Sequence, residues 1–437
     1  MSASSPQPSF ILRGHASSVT VIHFHRPFND SVFVISGDVE GKIKFWNLDD
    51  RRCAATIEEK NEINSPQSAV LQITPRADSL IIQRKNGQIN FIAIDWKTLK
   101  VGAELWRINT GAYGFFRCTI GSIGSPSENF LICPATPASN FHLVDIEHRR
   151  LIATAEAESS TGEIEPNDSH QPQLVDGVLE LRGVLSHRRY GKKHGMFMAA
   201  IIYQVTAAAN NNINIIAAME GGSIIVFNVD IKNQNVSMFA SLSLTVEPLL
   251  AVALCGEGDI NFNTDETLKL SGVTGGSELS IRPFTLNYQV DAGEVNVEII
   301  SYPSVPLAAS TVHSGLNALA FIDNGENLAT AGWDHRVRIF NCQNFKPKIE
   351  NISSSEKNEN PPILSPASLL RCHTKSVQCL NYIGENNSSN SSRSVIPISS
   401  SSALAKFSLS SRLAAAKPRR GWLATGGEDA HIAIYER

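Results

Sequence analysis

The sequence predicts an all-β fold that is built from a repeated unit of short strands. Apolar residues alternate with period two in short stretches, and a turn rich in Gly or Asp bounds each stretch. In the clearest copy, two such stretches flank the turn Gly37–Gly41. The same turn-and-strand pattern returns at 81–92, 216–228, 328–341 and 423–435, with weaker copies near 131–145 and 270–282. These copies make seven units, so the repeat sets the domain organisation of the 437 residues.

Composition and charge exclude several classes of function. Hydrophobic residues make up 42% of the chain, which is enough for a large core, and the formal net charge is −4. Because phosphate neutralisation needs a concentrated basic surface, we expect no direct DNA binding. The seven cysteines include no C-x-x-C pair, so neither a disulfide framework nor a zinc ribbon is indicated. No apolar run fits a signal peptide or a membrane span.

The motifs at the two ends of the first unit identify a family. This unit begins with Arg13-Gly14-His15 and ends with Phe45-Trp46-Asn47, and the chain closes on a related turn, Gly427-Glu428-Asp429. These motifs resemble those of the WD-repeat family, which implies a single domain, 1–437, folded as a seven-bladed β-propeller with four strands in each blade. The predicted blades cover 13–48, 66–95, 113–148, 195–230, 246–286, 312–342 and 371–437.

The ends of the chain predict how the ring closes. The last unit stops within its third strand, and an apolar stretch, 9–12, precedes the first Gly-His. We therefore expect strand 9–12 to complete the last blade through backbone hydrogen bonds. Five segments that are polar, charged or rich in Ser and Asn are predicted as inserted loops: 155–176, 182–194, 205–212, 342–366 and 384–420.

The family resemblance also implies structural roles for blade-motif residues. In the first blade it predicts a buried hydrogen-bonded chain of four side chains, in which a glutamate replaces the usual aspartate: His15, Ser36, Glu40 and Trp46. In later units the blade-motif positions are Asp334, His373 and Asp429.

Trp333 is the most informative candidate for partner binding. It precedes Asp334 in a turn that the resemblance places on the top face, and an exposed tryptophan there would be an interface anchor. Packing of the ring against the adjacent blade explains the residue equally well. Lys85, Glu220 and Glu428 hold the matching turn position in other units and are the other candidate contacts on this face.

A basic cluster forms a second candidate. Arg188, Arg189, Lys192 and Lys193 surround Tyr190, and such a cluster suits phosphate or an acidic partner. A solvated loop is the favoured alternative.

Enzyme signatures are missing from the sequence. It holds no phosphate-binding loop, no G-x-S-x-G elbow and no H-E-x-x-H motif, so we predict no catalytic residues, no cofactor and no metal. Cys372-His373 and Cys379 lie close in sequence, but an odd spacing on a regular strand points the two thiols to opposite faces.

Longer stretches of the sequence resemble a more specific family. The stretches 328–340 and 421–429 are similar to the C-terminal blades of the ASTRA-associated WD-repeat family, which includes the animal G-protein β-subunit-like proteins. The resemblance implies a nuclear, non-catalytic scaffold subunit of the ASTRA complex, linked to chromatin remodelling and to maturation of phosphatidylinositol-3-kinase-like kinases. The implied partners are a kinase-like large subunit, RuvB-like ATPases and Tel/Tti proteins, with the cytoplasm as a second location.

Two other function classes stay open. One is a generic adaptor, such as a ubiquitin-ligase substrate receptor or a histone-binding propeller. The other is a propeller enzyme, which would need a titratable cluster at the central channel; the turn residues Val39, Lys85, Glu220, Trp333 and Glu428 do not supply one.

Overall fold

A computed structural model describes residues 6–28, 31–58, 68–123, 125–156, 172–182, 194–207, 210–256, 259–263, 265–278, 280–291, 294–307, 315–351, 360–384 and 421–436. These residues form 33 strands and one short 3₁₀ helix, Asp323–Gly325. No helix in the described part of the chain has the length and apolar character needed to cross a membrane.

The strands of the first half form a closing strand and three sheets. The closing strand is β1 (Phe10–Arg13). Blade 1 contains β2 (Val19–Phe28), β3 (Ser31–Asp38), β4 (Ile43–Asn47) and β5 (Arg52–Ile57). Blade 2 contains β6 (Val70–Pro75), β7 (Ser79–Arg84), β8 (Gln88–Asp95) and β9 (Lys100–Asn109). Blade 3 contains β10 (Thr119–Ile123), β11 (Ser125–Pro134), β12 (Asn140–Asp145) and β13 (Arg150–Glu156). Two short strands, β14 (Leu174–Val175) and β15 (Val178–Glu180), extend blade 2 at its outer edge.

The second half supplies four more sheets. Blade 4 contains β16 (Phe197–Ala207), β17 (Asn210–Met219), β18 (Ser223–Asp230) and β19 (Asn235–Ser243). Blade 5 contains β20 (Leu249–Leu254), β22 (Glu266–Gly276), β23 (Ser280–Asp291) and β24 (Glu294–Ser301), and β21 (Asp259–Phe262) pairs with β16 of blade 4. After β25 (Val305–Pro306), blade 6 contains β26 (Leu316–Ile322), β27 (Asn327–Gly332), β28 (Val337–Gln343) and β30 (Ile363–Leu370). In the sequence, β29 (Lys348–Asn351) lies between β28 and β30, and it pairs with β22 of blade 5. Blade 7 contains β31 (Val377–Ile383), β32 (Trp422–Gly427) and β33 (His431–Glu436).

The seven sheets close into the predicted β-propeller. β1 pairs with β33 in antiparallel register, with Phe10 opposite Ile434 and Arg13 opposite His431. The N-terminal strand therefore supplies the outer strand of blade 7, which confirms the predicted ring closure. Leu12 is buried in the apolar cluster between blades 7 and 1, so this closure also buries side chains.

The core is divided among the blade interfaces. Each neighbouring pair of sheets encloses one apolar cluster, and the described residues form seven such clusters. A single four-stranded sheet cannot bury both of its faces, so stacking around the ring provides most of the burial. Strands with apolar residues at consecutive positions, such as β7, are buried on both faces for this reason.

The observed blades extend beyond their predicted bounds. Each predicted range ends near the third strand of its unit, whereas the sheets include a fourth, outer strand such as β5 or β9. These outer strands are more polar and more exposed; for example, β5 begins with three exposed residues. The repeat motif ends with the third strand, which explains why sequence reasoning stopped there.

Two predicted loops contain strands, and a third, 155–176, contains the end of β13 and the short strand β14. The segment 205–212 belongs to the β16–β17 hairpin, in which Thr206 lies opposite Asn211. The segment 342–366 contains β29 and the start of β30. Both predictions were wrong because polar composition was taken as a loop signal, although edge and hairpin strands satisfy their backbone groups whatever their side chains. The other predicted loops fall largely outside the described residues, namely 157–171 of the first, 183–193 of the second and 385–420 of the last.

Candidate functional site

Blade 1 contains a buried chain of hydrogen bonds. The Trp46 indole N–H donates to Ser36 Oγ at 2.8 Å, and Ser36 Oγ lies 2.7 Å from His15 Nε2. His15 Nδ1 lies 2.7 Å from Asp38 Oδ2, and all four side chains are buried. The chain ties the segment before β2 to β3 and β4, so it fixes the turn at the top of the blade.

The acid in this network is Asp38, which corrects the assignment of Glu40. Glu40 is exposed, and its backbone N–H donates to Asp38 Oδ1, as does that of Lys42. Burial alone would raise the pKa of Asp38, but hydrogen bonds from His15 and Lys42 bring that pKa below its ordinary value. Glu40 aligns with the acids of other turns, so counting turn positions misses a carboxylate that sits two residues earlier.

Blade 7 has a related network, and blade 6 has a different one. His373 bridges Asp429 and Thr425, with distances of 2.9 Å from its two ring nitrogens. Burial opposes ionisation of Asp429, but hydrogen bonds from His373 and the Thr374 backbone lower its pKa to about 2. In blade 6, Asp334 instead accepts two hydrogen bonds from Arg338, at 3.0 and 2.5 Å.

Six turns share one backbone contact, which places them on the same face. In each, the residue after the second strand donates its N–H to a carbonyl directly before the first strand of the blade. The donors are Val39, Lys85, Glu220, Ser277, Trp333 and Glu428, and the acceptors are Ser18, Ala69, Met196, Pro248, Gly315 and Ser376. We call this end of the ring the top face.

Two of the four candidate contacts meet in a pocket between blades 6 and 7. The pocket has a volume of about 470 Å³, and Trp333, Glu428, Asn317 and Gln378 are among the residues that line it. The Trp333 indole N–H donates to Asn317 Oδ1 at 2.7 Å, and Gln378 donates to Glu428 at 2.7 Å. Both side chains are therefore oriented within their own blades while they line the pocket.

Gly315 explains the position of the tryptophan. A Cβ atom at residue 315 would lie 2.6 Å from the Trp333 ring, and the backbone φ of +134° is one that other residues rarely adopt. The indole thus packs on backbone within blade 6 and is half-buried. The Trp333 ring therefore packs within blade 6 and is also exposed to the pocket.

The other two candidate contacts lie elsewhere on the top face. Lys85 is in blade 2, where its Nζ lies 5.2 Å from the centre of the Phe115 ring. Glu220 is in blade 4 and accepts a hydrogen bond from the Met196 N–H at 3.2 Å. The basic cluster Arg188, Arg189, Lys192 and Lys193 lies outside the described residues.

A ring of half-buried side chains at the start of the inner strands was missed by sequence reasoning. Six inner strands have a register shift after their first buried residue, and the shifted residue is half-buried. These residues are Thr20, Leu71, Met198, Leu250, Asn317 and Gln378. In blade 3, Arg117 takes the same place between buried Phe116 and buried Cys118. The six residues of the other blades are marked by a register shift directly after the first buried residue of the strand. The alternation of apolar and polar residues in the sequence does not reveal this shift.

Arg117 crosses the central channel. Its Nη2 donates to the Thr20 carbonyl of blade 1 at 3.1 Å and, more weakly, to the Gln378 carbonyl of blade 7 at 3.4 Å. Burial lowers the pKa of the guanidinium, which reflects the cost of removing this charge from water. Arg117 is thus the cation of the inner ring.

Four of the cysteines, Cys118, Cys133, Cys255 and Cys379, are buried. Burial raises the pKa of the Cys379 thiol to about 12, so it is held as a thiol. Within the described residues, no group of three or more His, Cys, Asp or Glu side chains is arranged to hold a metal ion.

Comparison with known proteins now identifies the repeat. The family model "WD domain, G-beta repeat" matches residues 6–47 and 305–341, which contain the turns and inner strands of blades 1 and 6. The chain thus contains repeats that match this family in blades 1 and 6.

The chain has relatives that it matches over most of their length. It is 20% identical over 346 residues to guanine nucleotide-binding protein subunit beta-like protein 1 of Mus musculus, an alignment that covers 78% of this chain and 85% of the relative. It is 23% identical to ASTRA-associated protein 1 of Aspergillus flavus (78% and 79% covered) and to that of Aspergillus niger (79% and 80% covered).

Solved structures support the β-propeller fold of this chain. The β-propeller domain of Cps50 (Swd1) from Myceliophteria thermophila superposes with a TM-score of 0.55 at 13% identity, covering 99% of both chains. Sqt1 of Saccharomyces cerevisiae gives a TM-score of 0.52 at 8% identity, with the same coverage.

Proposed function

We propose that this protein is a non-catalytic scaffold subunit of an ASTRA-type assembly, linked to chromatin remodelling and to maturation of phosphatidylinositol-3-kinase-like kinases. The observation that carries the proposal is the alignment with two proteins named ASTRA-associated protein 1, which spans about four fifths of each chain. The proposed partners are a kinase-like large subunit, RuvB-like ATPases and Tel/Tti proteins, and the proposed location is the nucleus.

The pocket between blades 6 and 7 is the proposed partner contact. A half-buried tryptophan held by Asn317 is pre-organised, and oriented aromatic side chains contribute strongly to protein interfaces. Glu428 adds a carboxylate and Lys375 an ammonium group to the same pocket, so the site suits a segment that carries an apolar side chain flanked by charged or polar groups.

The same pair of residues favours one alternative. An aromatic ring and a carboxylate in one pocket also suit a basic histone tail, so a histone-binding propeller is the second candidate. Glu220, which a cage at the channel would also need, lies in blade 4 and does not line this pocket.

Affinity purification with matched baits tests the proposal. The tagged wild-type protein, Trp333→Ala and Glu220→Ala are compared by quantitative mass spectrometry from the cells of origin. We expect the wild type to recover RuvB-like ATPases, Tel/Tti proteins and a large kinase-like protein. Trp333→Ala should lower that recovery about tenfold, as loss of an interface anchor does. Glu220→Ala changes the equivalent turn of another blade and should have little effect.

Two outcomes contradict the proposal. Recovery of cullin machinery, or of histones without the expected components, assigns the protein to the adaptor class. A collapse of thermal stability in Trp333→Ala, with normal binding by the protein that still folds, makes the tryptophan a core residue and removes the pocket as the contact.

A further inference from the structure

We propose that the top face at blades 2 and 3 binds an acidic segment of a partner protein, with one carboxylate of that segment at Arg117. The surface consists of Lys85, Tyr113, Phe115 and Arg117, and we call it the cationic-aromatic surface. Its residues belong to blades 2 and 3 and do not line the Trp333 pocket, which Arg117 approaches only through the Gln378 carbonyl. The proposal does not depend on membership of an ASTRA assembly.

A buried glutamine fixes the backbone on both sides of Arg117. The buried Gln83 side chain of β7 donates to the Phe116 carbonyl at 2.8 Å and accepts from the Cys118 N–H at 2.7 Å. One amide thus clamps the backbone on both sides of residue 117. Since neighbouring side chains alternate in direction, this clamp buries Phe116 and Cys118 and directs Arg117 into the channel.

Arg117 has no carboxylate partner among the described residues, and the ionisable group beside it is the buried Cys379 thiol, whose pKa burial raises to about 12. The Arg117 Nη2 group contacts two backbone carbonyls, and its Nε and Nη1 groups make no hydrogen bond to the described part of the chain. A guanidinium carries five N–H donors in a planar fork that matches a carboxylate. A carboxylate entering from the top face would therefore gain charge-assisted hydrogen bonds in a partly dehydrated site.

Exposed aromatic rings precede Arg117 in the same loop. Tyr113 is 75% exposed and Phe115 is 69% exposed, which places them among the most exposed large side chains of the described residues. The loop that carries them is anchored at its start, where the Thr110 N–H and hydroxyl both donate to the Gly87 carbonyl. An anchored loop with exposed rings has a low ordering cost on binding, as partner-binding surfaces require.

The charges specify an acidic partner. Lys85 and Arg117 are both positive, and Lys85 lies over the Phe115 ring. The nearby Arg182 side chain lies against Gly111 in the same loop, and it pairs with Glu180 at 3.5 Å. Glu180 also accepts from Asn109, so this carboxylate is already engaged. The Trp333 pocket, by contrast, contains Glu428 and lacks this uniform sign.

Peptide binding tests the proposal on the full chain. The probe is a short fluorescein-labelled peptide of alternating Glu and Leu, and the matched probe has Gln in place of every Glu. We expect fluorescence anisotropy to show the Glu peptide binding at least about fivefold more tightly, with affinity that falls as salt rises. Arg117→Gln should weaken binding about tenfold, because it removes the charge and its charge-assisted contact with the carboxylate.

Further variants separate binding from folding. Phe115→Ala and Lys85→Ala change exposed side chains and should each weaken binding about threefold to fivefold, so the test holds even if Arg117→Gln fails to fold. Lys97→Ala removes an exposed charge from blade 2 at the opposite end of the ring and is the control, expected to bind normally. Trp333→Ala should also bind the peptide normally, which distinguishes this surface from the pocket of the proposed function.

Three results would overturn the proposal. The first is equal binding of the Glu and Gln peptides, or no binding of either. The second is a single-stranded oligonucleotide that binds the same surface more tightly than the Glu peptide, which would make nucleic acid the ligand. The third is strong peptide binding only after deletion of the acidic residues 157–171, which would make this chain's own segment the occupant.

Discussion

Blades 1 and 4 place different chemistry at the same two positions. In blade 1, Ser36 and Trp46 belong to the buried hydrogen-bond chain. In blade 4 the residues in the same register are Ala217 and Phe227, which are equally buried. Phe227 contacts Phe141 edge-to-face with ring centres 5.4 Å apart, so an apolar contact across the blade interface replaces the polar chain.

This difference shows that the polar network is not required to build a blade. Burial of apolar surface between sheets is common to all seven interfaces, and it holds blade 4 without a serine or tryptophan. The network in blade 1 adds specificity to one turn, because its donors and acceptors fit one arrangement. Blade 1 should therefore be sensitive to loss of single polar groups, whereas blade 4 should be sensitive to their introduction.

The largest expected effect comes from the acid of the network. Asp38→Ala leaves buried His15 and two backbone N–H groups without their acceptor, so we expect a loss of about 3–5 kcal/mol in the free energy of unfolding. Glu40→Ala is the matched control and should change stability by no more than about 0.5 kcal/mol. Chemical denaturation measures both. Equal effects would mean that the acids share the role and that the assignment of Asp38 is wrong.

Lowering the pH should destabilise the protein through His142, a buried histidine of blade 3 that does not belong to the hydrogen-bond chain of blade 1. Burial lowers the pKa of His142 to about 4, from an ordinary value of 6.5, and His142 Nδ1 lies 2.9 Å from Thr154 Oγ1. Below pH 6.5 the unfolded chain therefore binds more protons than the folded one, so stability falls as pH drops from 6.5 towards 4 and levels off below that.

The size of this effect follows from the shift. A difference of about 2.5 pKa units corresponds to about 3 kcal/mol lost across the window. Stability measured against pH should show a shallower fall in His142→Gln, although His23 and His25, whose pKa values burial also lowers to about 4, still contribute. An unchanged profile in this variant would place the pH response in other groups.

The fold was predictable from the sequence to the extent that each blade repeats a local pattern. Alternating strands and Gly-rich turns define units around Gly41 and Gly87, and the short last unit indicated that strand 9–12 closes the ring. Outer strands such as β29 could not be found in this way, because their pairing with β22 is distant in sequence and leaves no periodic signal.

The top face was predictable only in part. The position of Trp333 in its turn followed from the repeat, but its approach to Glu428 depends on how blades 6 and 7 stack. Arg117 and Phe115 lie outside the repeated motif, and their importance appears only when the Gln83 clamp and the channel are seen together. Asp38 shows the same limit, since a position count along the turn selects Glu40.

The smallest expected effects come from opposite substitutions at the equivalent positions 36 of blade 1 and 217 of blade 4. Ser36→Ala removes the hydroxyl between Trp46 and His15, leaving a buried indole N–H without an acceptor, so we expect a loss of about 2 kcal/mol. Ala217→Ser introduces a hydroxyl into the apolar interface of blade 4 and should also cost about 1–3 kcal/mol, for the opposite reason.

A double variant decides whether the network acts as a unit. If it does, Ser36→Ala combined with Trp46→Phe should cost less than the sum of the single changes, because phenylalanine has no N–H to leave unpaired. The double variant then has at these positions the residue types that blade 4 has in Ala217 and Phe227. Strict additivity in denaturation would show that Ser36 and Trp46 contribute independently and that the network does not act as a unit.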